Sequence, residues 1–221
     1  MVEILRWMST IVSISVKFFL AFYFIRVYSR EKMATPLIWG TGFFFFGLSQ
    51  LPGLAYRYFQ DPITATAFAI LGTFLVTLSL SILYYGASLL LFVKGSFMRK
   101  KFTLILFALM VCVTGVLAVT VSSENILKLG FLVTATGLIF PLSVVIGCIF
   151  WVTWYKLESD NPRRINVFLV GCAWVTYGIV NGIGSFFVES SHEWIFYVLA
   201  IVSFLMLLYG MTLGKATQSS E

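Results

Sequence analysis

Seven long apolar runs, separated by short polar segments, organise the chain; they cover about 7–28, 36–57, 63–93, 102–121, 129–155, 165–188 and 194–213. Each run is far longer than a strand and close to the roughly 20 residues that an apolar helix needs to cross a bilayer. The segments between them carry turn signals. Arg30-Glu31-Lys32 precedes Pro36, Asp61 precedes Pro62, Lys94 to Lys101 form a basic turn, and Asp160-Asn161-Pro162 separates the fifth run from the sixth. Proline and charge both end an apolar helix, so each boundary has a physical cause. The pattern predicts an all-α membrane protein, a single polytopic domain over 1–221 built as a seven-transmembrane-helix bundle.

Composition agrees with this pattern. The chain is 60% hydrophobic and 11% charged, with a mean hydropathy of +0.97, whereas soluble domains are about 45–50% apolar and about 25% charged. Seven spans leave no room for a catalytic domain outside the membrane. The first run is too long for a signal-peptide core and has no small-x-small cleavage site, so it reads as the first span.

Placement of charge refines the picture further. A net charge of +6 and a pI near 9.3 could indicate nucleic acid, but the basic residues sit in short connections beside apolar runs, where they act as a topology signal. Eleven Lys and Arg fall after spans 1, 3 and 5 and in the C-terminal tail. Three (Arg6, Arg57 and Lys128) fall on the other side. The bias places the N-terminus outside and the C-terminus in the cytoplasm of a multi-pass cell-membrane protein, with the lipid bilayer as its partner and no nucleic acid. Trp7 and Trp194 then lie at the outer boundary and Trp39, Trp151 and Trp154 at the inner one, where amphipathic rings prefer to sit.

Two runs share their punctuation. Gly40, Gly47, Gln50 and Gly53 fall at the same offsets as Gly171, Gly178, Asn181 and Gly184, and Tyr85-Gly86 near the end of span 3 corresponds to Tyr209-Gly210 near the end of span 7. Spans 1 and 5 show no matching punctuation. The echo suggests a parallel three-plus-one-plus-three repeat, with units 7–93 and 129–213 joined by the helix 102–121. This plan resembles the one shared by microbial rhodopsins and SWEET-type sugar facilitators. Rhodopsins attach retinal to a lysine of the seventh helix, and span 7 here has none. SWEET-type repeats carry prolines in several helices, whereas here only Pro52 and Pro141 lie within spans. The resemblance therefore extends to the plan and carries over no functional residue.

Candidate chemistry centres on Lys17, the one acidic or basic side chain deep inside a span. Eleven residues separate it from Tyr28, about 16 Å of helix, too far for the amine to reach the boundary. A lysine at that depth costs at least about 2.5–3.5 kcal/mol, so it should face the bundle interior or water. Gln50 and Asn181 would lie at matching depths, each three residues after a glycine. Thr73, Thr77, Ser81, Tyr84 and Ser88 form a hydroxyl stripe on span 3; such hydroxyls often bond their own helix carbonyls. Lys17, Gln50, Thr73, Thr77, Tyr177 and Asn181 are together the candidate ligand-binding cavity. Gly178-x-x-x-Gly182 and Gly210-x-x-x-Gly214 fit close helix packing, and Pro141 should kink span 5.

No catalytic or metal site is expected. His192 is the single histidine and lies in the outer turn, no carboxylate pair falls inside a span, and Cys112, Cys148 and Cys172 have no ligand spacing and read as small core residues. No cofactor is expected either. The sequence favours a small-molecule facilitator or transporter with a polar midplane cavity over an enzyme. A seven-helix sensor or receptor that signals through a separate cytoplasmic protein partner is the second reading. An accessory subunit of a membrane complex is the third, and the partners expected beside the bilayer are a small-molecule ligand and either a cytoplasmic protein or further copies of the chain in a homo-oligomer.

Overall fold

A computed structural model of the chain describes residues 2–52, 62–120, 132–187 and 192–212. Among these residues all regular structure is helical, in seven α-helices: α1 (Val2–Glu31), α2 (Ala34–Leu48), α3 (Pro62–Leu91), α4 (Lys100–Thr120), α5 (Phe140–Lys156), α6 (Arg164–Gly182) and α7 (Glu193–Thr212). Five stretches are long and apolar enough to cross a membrane: Glu3–Glu31, Thr66–Leu91, Leu132–Lys156, Arg164–Phe186 and Glu193–Thr212. α2 is a shorter apolar helix of 15 residues, about 22 Å long against a hydrocarbon core of about 30 Å. Gly53 of the repeat, Arg57 and Asp61 at the expected end of the second span, Lys128 and Gly214 lie outside the described residues.

The boundaries follow local chemistry. α1 runs 30 residues without Gly or Pro and stops where Lys32 turns left-handed, its N–H donating to the Tyr28 carbonyl at 2.8 Å, a common way to end a helix. The kink expected at Pro141 takes the form of a π-helical turn, Ala135–Ile139, directly before it; the Phe140 N–H donates to the Ala135 carbonyl. Proline cannot donate and crowds the preceding turn, and one widened turn absorbs both defects.

Helix neighbours close a ring. α1 packs on α2, α2 on α3, α3 on α5, α5 on α6, α6 on α7, and α7 returns to α1, while α4 lies against α3. Aromatic rings fill the centre. Trp174 of α6 stacks on Phe43 and Phe46 of α2 at 6.5 and 6.1 Å between centroids, and Tyr177 meets Phe46 edge-on at 5.5 Å.

Glycines set the close approaches. A methyl added at Gly171 would lie 2.5 Å from Trp151 and 3.1 Å from the Gly147 carbonyl, and one at Gly40 would meet Ile25 and the Ala21 carbonyl at 3.0 and 3.2 Å. Ala21 and Ile25 are four apart on α1, and Gly147 and Trp151 are four apart on α5. Trp39, one residue before Gly40, faces Gly86, while Val170, one residue before Gly171, faces Gly210. Gly178 and Gly182 seat Phe140 of α5, which gives the small-xxx-small motif its packing role. The cysteines differ from expectation: Cys112 and Cys148 are exposed on the outer face of the bundle and Cys172 is half-buried. In a membrane bundle the outer surface is as apolar as the core, so a small apolar residue does not indicate its side.

Candidate functional site

Three helices, α1, α6 and α7, share a seam with a cavity at each end. At the N-terminal end of α1 a cavity of about 160 Å³ is lined by Ser9, Thr10 and Ser13, by Tyr177 and Asn181 of α6, by Phe204 of α7 and by Gln50 beyond α2. At the C-terminal end a cavity of about 230 Å³ lies among Tyr23, Phe24 and Val27 of α1, Asn166 and Val167 of α6, and Gly210 of α7, with Glu31 and Arg163 at its edge. Ten residues of α1 separate Ser13 from Tyr23, about 15 Å of helix. Lys17 lies between them, with Trp174 and Leu207 at the matching height on α6 and α7; their exposures are 0, 1 and 4%. The seam is thus open at both ends and closed in the middle.

The closed section has an amine at its heart. Lys17 Nζ stands 3.8 Å from the Phe46 ring centroid, 4.9 Å from that of Phe204 and 5.8 Å from that of Tyr177. Aromatic faces are electron-rich and attract a cation, and the attraction grows when water is excluded. Among the described residues no hydrogen-bond acceptor reaches Nζ, and the Ser13 hydroxyl one turn away also lacks a partner. Phe204 and Tyr177 line the upper cavity, so the amine sits directly behind its floor.

A charged cluster stands at the mouth of the same cavity. Arg6 Nη2 donates to Glu193 Oε1 at 2.7 Å, Arg6 Nε donates to the Tyr197 hydroxyl at 2.8 Å, and that hydroxyl in turn donates to Glu193. The Glu193 side chain is 6% exposed and that of Arg6 34%. The cluster ties the first helix to the last and neutralises itself. Sequence reasoning did not single out Glu193, Arg6 or Tyr197. The available signal was opposite charge at the ends of the first and last spans predicted to lie on one side of the membrane.

Four of the six residues predicted for the cavity come together. Gln50, Tyr177 and Asn181 line the upper cavity, and Lys17 lies against its floor. Among the described residues Gln50 Oε1 is buried without a partner, whereas Asn181 Nδ2 donates to the Tyr177 carbonyl at 2.8 Å. Thr73 and Thr77 lie elsewhere on α3 and line neither cavity. Thr73 donates to the Ala69 carbonyl at 3.0 Å, and the fully buried Thr77 hydroxyl has no partner among the described residues. The rest of the stripe also serves backbone: Ser81 donates to Thr77, Ser88 to Tyr85, and Tyr84 reaches the Met98 carbonyl at 3.0 Å. Among the described residues no group of three or more His, Cys, Asp or Glu side chains is placed to hold a metal.

Comparison with protein-family models, with characterised proteins and with solved structures finds no match to this chain.

Proposed function

We propose that the chain is a seven-span membrane facilitator that carries a small polar solute along the α1–α6–α7 seam. The observation that carries this reading is the pair of cavities at opposite ends of one seam, separated by a closed aromatic section around Lys17. That is the layout expected of an occluded carrier, in which modest rearrangement of a few side chains or of one helix group joins the solute site to either side. With the N-terminus outside, the cavity near Ser13 faces outward and the one near Tyr23 faces the cytoplasm.

The same proposal treats α1–α3 and α5–α7 as parallel copies joined by α4. Support comes from the packing correspondences. Gly40 and Gly171 each seat on the first helix of their own triplet, and Gly86 and Gly210 each face the residue just before that glycine. Advancing one triplet onto the other also sends the neighbour order α1–α2–α3–α5 onto α5–α6–α7–α1. Phe43 and Trp174, each three residues after that glycine, touch one another, as do Phe46 and Tyr177; counterparts meet in this way at a two-fold axis. Under this correspondence Lys17 answers to Ser143, also fully buried, so the charge belongs to one copy alone.

The test is solute flux into proteoliposomes containing the purified chain. Flux above that of protein-free vesicles for a small polar solute is the expected result. Flux equal to protein-free vesicles across neutral, anionic and cationic solutes would contradict it. Binding without flux would move the reading to a sensor acting through a cytoplasmic partner.

A further inference from the structure

We infer that the solute is a small organic monoanion, a carboxylate or sulfonate, and that Lys17 selects it; this deepens the facilitator reading and rests on it. The first ground is position. Any solute that passes between the two cavities must pass Lys17, because α1, α6 and α7 line both and Lys17 lies between the residues that α1 contributes to each. An amine in the fully buried section between the cavities is an electrostatic barrier to cations and an attraction for anions, the logic by which charged or dipolar groups set selectivity in pores.

The second ground is the missing partner. Nζ is fully buried, yet among the described residues it has no carboxylate and no hydrogen-bond acceptor, only the faces of Phe46, Tyr177 and Phe204. Buried charges in proteins are ordinarily paired. The carboxylate on the upper cavity, Glu193, is held by Arg6 and Tyr197, and Glu31 stands at the far end of the seam. An entering anion supplies the acceptor that the amine lacks, and the unpartnered Ser13 hydroxyl, one turn along the same face, adds a donor to the same oxyanion.

The third ground is size. The upper cavity of about 160 Å³ compares with a cavity of about 150 Å³ that accepts benzene, so the solute should have roughly six to ten heavy atoms. Its apolar portion would rest on Tyr177 and Phe204 and its oxyanion would point toward Ser13 and Lys17. The rings of Tyr177 and Phe204 must swing aside for the oxyanion to meet Nζ, which makes them the inner face of the occlusion.

Three probes of similar size, one a fixed anion, one neutral and one a fixed cation, test this in proteoliposomes of the full chain: 2-hydroxyethanesulfonate, glycerol and choline. The sulfonate cannot cross lipid as a neutral acid. It should move fastest and choline slowest, and Lys17→Met should lower sulfonate flux by roughly 30-fold or more, the lower end of what losing one partner of a buried charge pair costs, and by a larger factor than glycerol flux. Wild-type flux of glycerol or choline equal to or above that of the sulfonate would overturn the anion assignment and leave the facilitator standing. So would unchanged sulfonate flux in Lys17→Met. Thermal unfolding of the solubilised wild-type protein gives a second readout that needs no variant. The sulfonate should raise the midpoint and glycerol should not. Stabilisation without flux of any probe would keep the anion site and sink the facilitator, whereas flux of glycerol with no sulfonate stabilisation would do the reverse.

Discussion

At the scale of single residues, two charged groups on α1 have opposite histories. Lys17 is legible from sequence, because a lone amine about 16 Å from a helix end has no route to water along its own helix and must be housed by the bundle. Arg6 and Glu193 look like boundary residues, and nothing in the pattern of their own spans marks them. The Glu193 carboxylate becomes buried because α7 returns to α1, a long-range pairing that periodicity does not contain. Removal of the guanidinium by Arg6→Ala would take from that carboxylate its charged partner on α1. Arg6 is a third exposed, so the loss should be nearer that of one charged hydrogen bond than of a deeply buried pair, about 1–2 kcal/mol. A lowered midpoint of thermal unfolding, partly recovered in the exchanged pair Arg6→Glu with Glu193→Arg, is the expected outcome. An unchanged midpoint in Arg6→Ala would show that the cluster does not fasten the two helices.

Elements come next. The helix count and most boundaries follow from apolar runs ended by charge and proline, and the observed ends lie within a few residues of the expected ones where both are described. The packing was less legible. Without a hydrophobic force between helices in lipid, association depends on close approach and fit, so the informative positions are glycines, and their meaning depends on what they face. Spans 1 and 5 illustrate this. Their sequences show no shared punctuation, yet Ala21 with Ile25 and Gly147 with Trp151 serve Gly40 and Gly171 alike. The Thr73–Ser88 stripe is the converse case, visible in sequence but largely occupied with its own carbonyls. Gly210→Ala would place a methyl 2.7 Å from Val170 and 2.9 Å from the Asn166 carbonyl. Backbone cannot yield cheaply, and a loss of about 1–3 kcal/mol is expected. Gly115→Ala, with nothing within 4 Å, should be neutral or gain up to ~1 kcal/mol from helix propensity. Thermal unfolding of the two variants side by side checks the contrast, and equal stability would remove the close α6–α7 approach from the account.

For the whole molecule, six helices make a ring and α4 stands beside it. Ring order was not legible, because lipid-facing and inward-facing positions are nearly equally apolar: Ile11, Phe19 and Phe22 of α1 are exposed and Val16 and Leu20 buried, all from one residue class. What the ring encloses is an aromatic centre, and the two cavities lie at the ends of the α1–α6–α7 seam, so the central claim is that solute travels there. The most direct measurement replaces the three native cysteines with serine, introduces Ser13→Cys, and follows sulfonate flux in proteoliposomes before and after a small thiol reagent. The account predicts that modification at position 13 brings flux down to that of protein-free vesicles and that reduction of the adduct restores it. Undiminished flux in fully modified protein would contradict passage through this seam.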